Sequence, residues 1–262
     1  MILVTGATGN VGRHVAVGLA EAGAAVRTSS RRGGDVPADL TDPGSLSPAL
    51  DGVDTVFLVW PGPAVPGIED AVGAITERVR KVVYLSAASA EHGFWGTVEK
   101  AVEHSGVGWV FLRPGGFATN TLGWAGMVRD EGVVRWPYGE AARSLIHERD
   151  IADVAVRALL GDELDGTRPH LTGPANITQA EQVRLIGEAI GRDVRWVDLS
   201  PEDAREQLLA EWGDETFVDA ALSHWASLVG TGEPVTDDVA RITGRPARPF
   251  RDWCRDHAAD FL

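Results

Sequence analysis

The feature that most constrains the fold is a set of three glycines, Gly6, Gly9 and Gly12, spaced three apart directly behind the apolar run Ile2-Leu3-Val4. A short apolar run, a glycine-rich turn, and then Val11, Val15 and Leu19 at helical spacing read as strand, turn and helix. Gly23 ends that helix and Ala24 to Thr28 resumes an extended run, so the chain opens as a βαβ unit with a right-handed crossover. In such a unit the glycines permit a tight turn, close approach of backbone to a diphosphate, and close packing of helix on strand, with phosphates facing the helix N-terminus. The segment Thr5 to Gly12 therefore predicts a dinucleotide site, with Gly6, Thr8, Gly9, Asn10, Val11 and Gly12 against the cofactor.

The alternation continues. Strands are expected at 55–59, 81–85 and 108–112 and helices at 43–50, 68–79 and 96–105, followed by a helix over 150–160 and a late strand over 167–171. Strands that are apolar throughout and separated by amphipathic helices indicate a parallel sheet covered on both faces, a Rossmann-type doubly wound α/β fold. From Thr178 onward the pattern is mainly helical, with a capping box at Thr178-Gln179-Ala180-Glu181 and a capping serine, first-turn proline and early acids at Ser200-Pro201-Glu202-Asp203. We expect a dinucleotide-binding core over 1–122 and a mixed region over 123–262. Within the latter, residues 145–172 complete the sheet and the rest forms a smaller, mainly helical substrate-side lobe.

Composition removes several classes of function. The net charge of −14 argues against nucleic acid as a partner, since 24 basic residues are scattered among 38 acids. No stretch approaches the ~20 apolar residues of a membrane span, and the opening residues carry no basic leader, so a cytoplasmic protein acting on a small molecule, monomer or homodimer, is expected. A single cysteine, Cys254, excludes an internal disulfide, and the seven histidines show no metal-ligand spacing, so no metal site is expected.

The end of the second strand bears on cofactor choice. A NAD site commonly carries an acid there, ~20 residues past the motif, to hold the ribose hydroxyls. Here the region reads Thr28-Ser29-Ser30-Arg31-Arg32, with two guanidinium groups and no acid. Guanidinium forks suit a 2′-phosphate, so Arg31 and Arg32 predict NADP(H) as the preferred cofactor, with NAD(H) possible.

Together with Asp39-Leu40-Thr41-Asp42, Val83-Tyr84-Leu85-Ser86, Glu99 ahead of Ser105-Gly106, Leu112 to Phe117 with Asn120, and Ile146 to Ala155, these residues resemble the NmrA-like branch of the atypical short-chain dehydrogenase/reductase superfamily. The resemblance spans nearly the whole chain. It implies that Asp39 and Leu40 lie beside the adenine, that Leu58, Val59 and Trp60 lie near the ribose and nicotinamide, and that Ser86 lies close to the reactive carbon. It also implies that Pro114, Gly115 and Phe117 flank the nicotinamide and open the substrate cleft. Nine tryptophans is a high count, and Trp60, Phe94, Trp95, Phe117, Trp124, Trp136 and Tyr138, with Asn120, fall in segments that the resemblance assigns to the cleft. Apolar walls with few polar groups suit a flat aromatic ligand.

One departure from the superfamily bears on chemistry. Its reductases usually carry Tyr-x-x-x-Lys on the helix after the Ser-bearing strand, the Tyr passing a proton to the substrate. Aligned on Glu99 and Ser105-Gly106, the Tyr position falls on Glu91 and the Lys position on Trp95, and neither Tyr84 nor Tyr138 restores the motif. Three readings follow. The first is an NADPH-dependent oxidoreductase acting on a hydrophobic aromatic or quinone-like carbonyl compound, with the proton supplied by Ser86, Glu91, His92 or water. The second is a non-catalytic NADP(H)-binding redox sensor. The third is an epimerase or dehydratase-like enzyme on the same fold.

Overall fold

Ile2–Thr5, buried along its whole length, forms β1, the strand around which the main sheet is ordered. The computed structural model describes residues 1–62, 67–91 and 93–262. After β1 come α1 (Gly12–Glu21), β2 (Val26–Ser30), β3 (Gly33–Gly34), α2 (Leu46–Leu50), β4 (Thr55–Leu58), α3 (Ile68–Thr76), β5 (Lys81–Leu85), α4 (Phe94–His104) and β6 (Gly108–Pro114). The sheet runs β3-β2-β1-β4-β5-β6 and is completed by the strand His170–Leu171. Every pairing is parallel except β2 with β3.

Both faces are covered, which is why the central strands β1 and β4 are buried along their whole length rather than alternating. On one face Leu3, Val56, Leu58, Val82, Tyr84 and Phe111 pack against buried residues of α2, α3 and α4. On the other lie α1, through Val15 and Leu19, and the helix Glu148–Leu160, through Ile151, Val154, Ala155 and Ala158. This is the doubly wound α/β fold expected from the sequence.

The chain divides into two compact units that it enters more than once. The first comprises Met1–Gly115, Glu148–Leu171 and Asp237–Pro246; the second comprises Gly116–His147, Thr172–Thr236 and Ala247–Leu262. The sequence reading draws one boundary after residue 122 and has residues 145–172 complete the sheet; the chain leaves the first unit after Gly115 and returns to it over Glu148–Leu171. The return has a physical cause in the apolar face of Glu148–Leu160, which is buried on the sheet.

In the second unit Val133–Trp136 pairs in parallel with Arg195–Asp198, and Ala142–Arg143 pairs antiparallel with Ile177–Thr178. Helices Gln179–Ile190 and Pro201–Trp212 begin at the expected caps, Thr178 accepting from the Glu181 N–H and Ser200 from the Asp203 N–H, each at 3.1 Å. Its core holds Trp124, Trp136, Trp225 and Trp253. Among the described residues no helix is long and apolar enough to cross a membrane.

Lys81, at the N-terminal end of β5, is fully buried. Its ammonium donates to the Gly161 carbonyl at 2.7 Å and pairs with Asp165 and, at 3.5 Å, with Asp162. These contacts pin the segment after Glu148–Leu160 beneath the sheet. Lys81 is buried while Asp162 and Asp165 reach solvent, so removing the carboxylates strands a buried charge: Asp162→Asn combined with Asp165→Asn should lower stability by about 2 kcal/mol, whereas Lys81→Met, which removes the buried charge itself, should cost under about 1 kcal/mol. Urea unfolding of the two variants checks this asymmetry.

Candidate active site

The first unit carries its site at the carboxyl ends of β1, β2 and β4. Because β1 lies between β2 and β4, the strand order reverses there, and open α/β sheets bind ligands at such a point. The Thr5 hydroxyl holds the strands together at this place, donating to the Phe57 carbonyl at 3.0 Å and accepting from the Val59 N–H at 2.9 Å.

The turn that follows is built by backbone crowding. Gly6 has a left-handed φ of 61°, and the Gly9 N–H donates to its carbonyl at 2.9 Å. A Cβ on Gly12 would lie 2.8 Å from the Gly6 carbonyl carbon, too close for any side chain. Helix α1 starts at that glycine with no capping side chain and no acid in its first turn. Its N-terminal N–H groups and dipole are therefore arranged for an anion.

Beside the turn is a cavity of about 420 Å³. It gathers Gly6, Thr8, Arg31, Arg32, Asp39, Leu40 and Val59, all named from the sequence. It also includes Leu3, Thr5, Ser29, Ser30, Ala38, Leu46 and Pro61, which sequence reasoning did not single out. The pairs Ser29↔Gly34 and Ser30↔Gly33 make Arg31-Arg32 the two-residue turn of a hairpin, closed by the Ser30 hydroxyl on the Gly33 carbonyl at 2.9 Å. Both arginines are exposed. Among the described residues Asp39 is the one carboxylate of the lining; the Thr41 N–H that it accepts holds its carboxyl below the ordinary range, and Arg31 acts in the same direction. Two guanidinium groups against one carboxylate leave this wall net positive in a chain of net charge −14. A glycine cradle at a helix N-terminus beside a cationic wall fits a phosphate-bearing dinucleotide.

Other expected residues are placed as follows. Asn10 is exposed at the turn and Val11 is buried beneath it. Leu58 is fully buried in the core, and Trp60 is buried with its indole N–H unpartnered among the described residues. Pro114 ends β6 and Gly115 follows it, the Pro114 carbonyl accepting from the Ala88 N–H and the Gly115 N–H donating to the Leu171 carbonyl, both at 2.9 Å. Phe94 and Trp95 are half-buried at the start of α4 with rings 4.2 Å apart. Glu91 is exposed in a turn ahead of α4 rather than on it. His92 lies outside the described residues.

Ser86, just beyond β5, is buried and donates its hydroxyl hydrogen to Glu99 Oε1 at 2.6 Å. Glu99 in turn accepts Arg113 Nε at 3.0 Å and Nη2 at 2.6 Å. That hydrogen bond raises Arg113 above its ordinary range. Arg168, stacked 4.3 Å over Trp109, stands 3.9 Å from Glu99 Oε2. Tyr84 is fully buried, burial raises its phenol, and its hydroxyl has no partner among the described residues.

In the second unit, Trp124 and Trp136 differ from the expectation of pocket walls. They are 5% and 8% exposed and sit edge to face at 6.2 Å within the aromatic core. Phe117 is half-buried, with its backbone bridged to Ile146, and Asn120 is exposed. Tyr138 is the one non-glycine residue with positive φ among those described, at 59°, and Gln179 holds it by donating to the Pro137 and Tyr138 carbonyls, each at 3.0 Å.

The fold and the cradle define a Rossmann dinucleotide-binding protein. The chain belongs to the NAD(P)H-binding family, whose model matches residues 6–162. It is 40% identical over its whole length, and over 99% of the relative, to a (4-alkanoyl-5-oxo-2,5-dihydrofuran-3-yl)methyl phosphate reductase of Streptomyces griseus. It is 35% identical, with the same coverage, to an NAD(P)H azoreductase of Xenophilus azovorans. The fold of an Escherichia coli NADPH-dependent quinone oxidoreductase, in complex with NADPH, superposes with a TM-score of 0.81 over 98% of this chain and 99% of that one, at 21% identity. The chain thus falls among NAD(P)H-dependent oxidoreductases.

Gly12→Ala would drive a methyl group into the Gly6 carbonyl. Titration with NADPH followed by fluorescence should show no saturable binding by this variant, and retained affinity would mean that the turn does not cradle the cofactor.

Proposed function

We propose that this oxidoreductase uses NADPH in preference to NADH and reduces a hydrophobic aromatic or quinone-like carbonyl compound whose developing charge is delocalised. The observation that carries the cofactor half is the Arg31-Arg32 turn on the cavity wall. Guanidinium groups there suit a 2′-phosphate, with the pyrophosphate at the glycine turn and α1. Asp39 and Leu40 would border the adenine and Val59 the ribose. Bound NADPH supplies a hydride.

The substrate half is supported by an absence in the sequence and by the relatives. Neither tyrosine has a lysine four residues on, so the chain lacks Tyr-x-x-x-Lys. An acceptor that spreads negative charge over a conjugated system needs less acid assistance than an isolated ketone. The relatives' names fit that class: a ring alkene flanked by two carbonyls, an azo group and a quinone each offer a polarised conjugated π bond. Candidate proton sources are Ser86, the exposed Glu91, His92 and water. Trp60, Phe94 and Trp95, aromatic residues of the first unit, are the candidates to meet such a substrate.

Two measurements test this. Arg31→Ala combined with Arg32→Ala should weaken NADPH at least about tenfold more than NADH, the scale of a lost charge-assisted phosphate contact; equal loss would remove the 2′-phosphate assignment. Absorbance decay of NADPH on adding menadione, an acylated butenolide and an azo dye should show turnover with at least one of them. Tight binding with no oxidation across that panel would overturn the reductase reading.

A further inference from the structure

The hairpin that carries Arg31 and Arg32 is short and lies at the edge of the sheet. Its ladder is the two pairs Ser29↔Gly34 and Ser30↔Gly33, and the sheet order ends at β3. Two-residue hairpin turns that match the twist of their strands need a positive φ at the first central residue or at both. Neither arginine has one, since Tyr138 is the one described non-glycine residue that does. Such a turn splays its strands, and a hairpin of this length does not hold together by itself. Further contacts have to keep the two guanidinium groups on the cavity wall.

Those contacts are at the open end of the hairpin. Gly34, at a φ of 93°, folds the chain back over Thr28, whose carbonyl accepts the Asp35 and Val36 N–H groups at 2.9 and 3.2 Å. Side chains close the same ring. Asp35 Oδ2 accepts the Thr28 N–H and the Thr28 hydroxyl, each at 2.9 Å, and the Asp35 N–H approaches Thr28 Oγ1 at 3.0 Å. The Thr28 N–H and then its hydroxyl hold the Asp35 carboxyl below its ordinary range. An ionised carboxylate only accepts, so the Thr28 hydroxyl gives its hydrogen to Asp35 and takes the Asp35 N–H on a lone pair. Beyond this ring the Ala38 N–H donates to the Ser30 carbonyl at 3.2 Å, and Ala38, Asp39 and Leu40 join the cavity lining. Asp35 itself is exposed and outside that lining.

We propose that Asp35, through Thr28, is the positioning residue of NADP(H) selectivity: its carboxylate staples the base of the β2–β3 hairpin and so holds Arg31 and Arg32 where a 2′-phosphate would sit. The proposal rests on the cofactor reading above. Its sign is opposite to that of simple charge. A carboxylate this close to Arg32 in the chain repels a phosphate, so by Coulomb interaction alone its removal would tighten NADPH. Asp35 is exposed, however, and water and salt screen that repulsion. Hydrogen bonds to a charged acceptor are stronger than neutral ones, and without them two exposed arginines have to be ordered by the ligand that they bind.

The test titrates the full chain with NADPH and with NADH, followed by quenching of protein fluorescence, as wild type, Asp35→Ala, Asp35→Asn, Thr28→Val and Thr28→Ser. Asn can place an amide oxygen where Oδ2 stands and accept both Thr28 hydrogens without charge. Val keeps the branched shape that suits β2 and removes only the hydroxyl. Asp35→Ala and Thr28→Val should each cut the ratio of NADPH to NADH affinity roughly fivefold, the scale of one hydrogen bond. Asp35→Asn and Thr28→Ser should keep that ratio within about twofold of wild type. Tighter NADPH binding in both Asp35 variants would mean that the carboxylate only repels phosphate, and it overturns the proposal. So does an unchanged ratio in Asp35→Ala and Thr28→Val, including equal loss of both nucleotides, which is what general loosening of the fold produces. Should Asp35→Ala not fold, the two Thr28 variants decide. A wild type that binds the two nucleotides equally would instead overturn the 2′-phosphate reading itself.

Discussion

Close contact between Gly12 and the Gly6 carbonyl underlies the site. It sets where α1 begins, and so where the helix dipole points, and it leaves the turn open to a phosphate group because no side chain fills it. Thr5, on the strand just before, uses one hydroxyl to satisfy a carbonyl and an N–H of the neighbouring strand end, so the edge stays closed where β1 and β4 stop pairing. A larger residue at Gly12 would disturb strand, turn and helix together.

Charge is partitioned within the first unit. Lys81 and the Arg113–Glu99 pair are buried or half-buried, and each is met by a partner of opposite sign. Their desolvation is offset locally, and breaking either would be costly. Arg31 and Arg32, in contrast, stand exposed on the cavity wall with a single carboxylate nearby. The structural cations are neutralised inside the unit, while those on the wall face the side where a dinucleotide phosphate would arrive.

Much of this was legible in the sequence because it depends on local patterns. The glycine spacing, the apolar strand runs and the caps at Thr178 and Ser200 are short-range signals, and the elements they predict are present. The fate of the aromatics was not legible. Trp124 and Trp136 fall in irregular sequence that suggested pocket walls, yet contacts with Trp196 and Trp225, remote in the chain, draw them into a core. The Ser86–Glu99–Arg113 network was hidden for the same reason. Its members lie on a strand end, a helix and the next strand, and only tertiary packing shows that one carboxylate serves both neighbours. The two-residue strand β3 left a trace in Gly33-Gly34, since a Cβ on Gly34, whose φ is 93°, would lie 2.7 Å from the Thr28 carbonyl oxygen; glycine pairs are read more readily as loop than as ladder.

That small hairpin has a consequence for how such proteins diversify. Arg31 and Arg32 are exposed turn residues, while the closure beneath them is made by the Ser30 hydroxyl and the backbone pairs with Gly33 and Gly34. The arginines can therefore be exchanged without disturbing the register of the sheet or the glycine turn. If the arginines read the 2′-phosphate as proposed, preference between phosphorylated and unphosphorylated cofactors is a detachable trait, free to drift over evolutionary time while the glycine turn stays fixed.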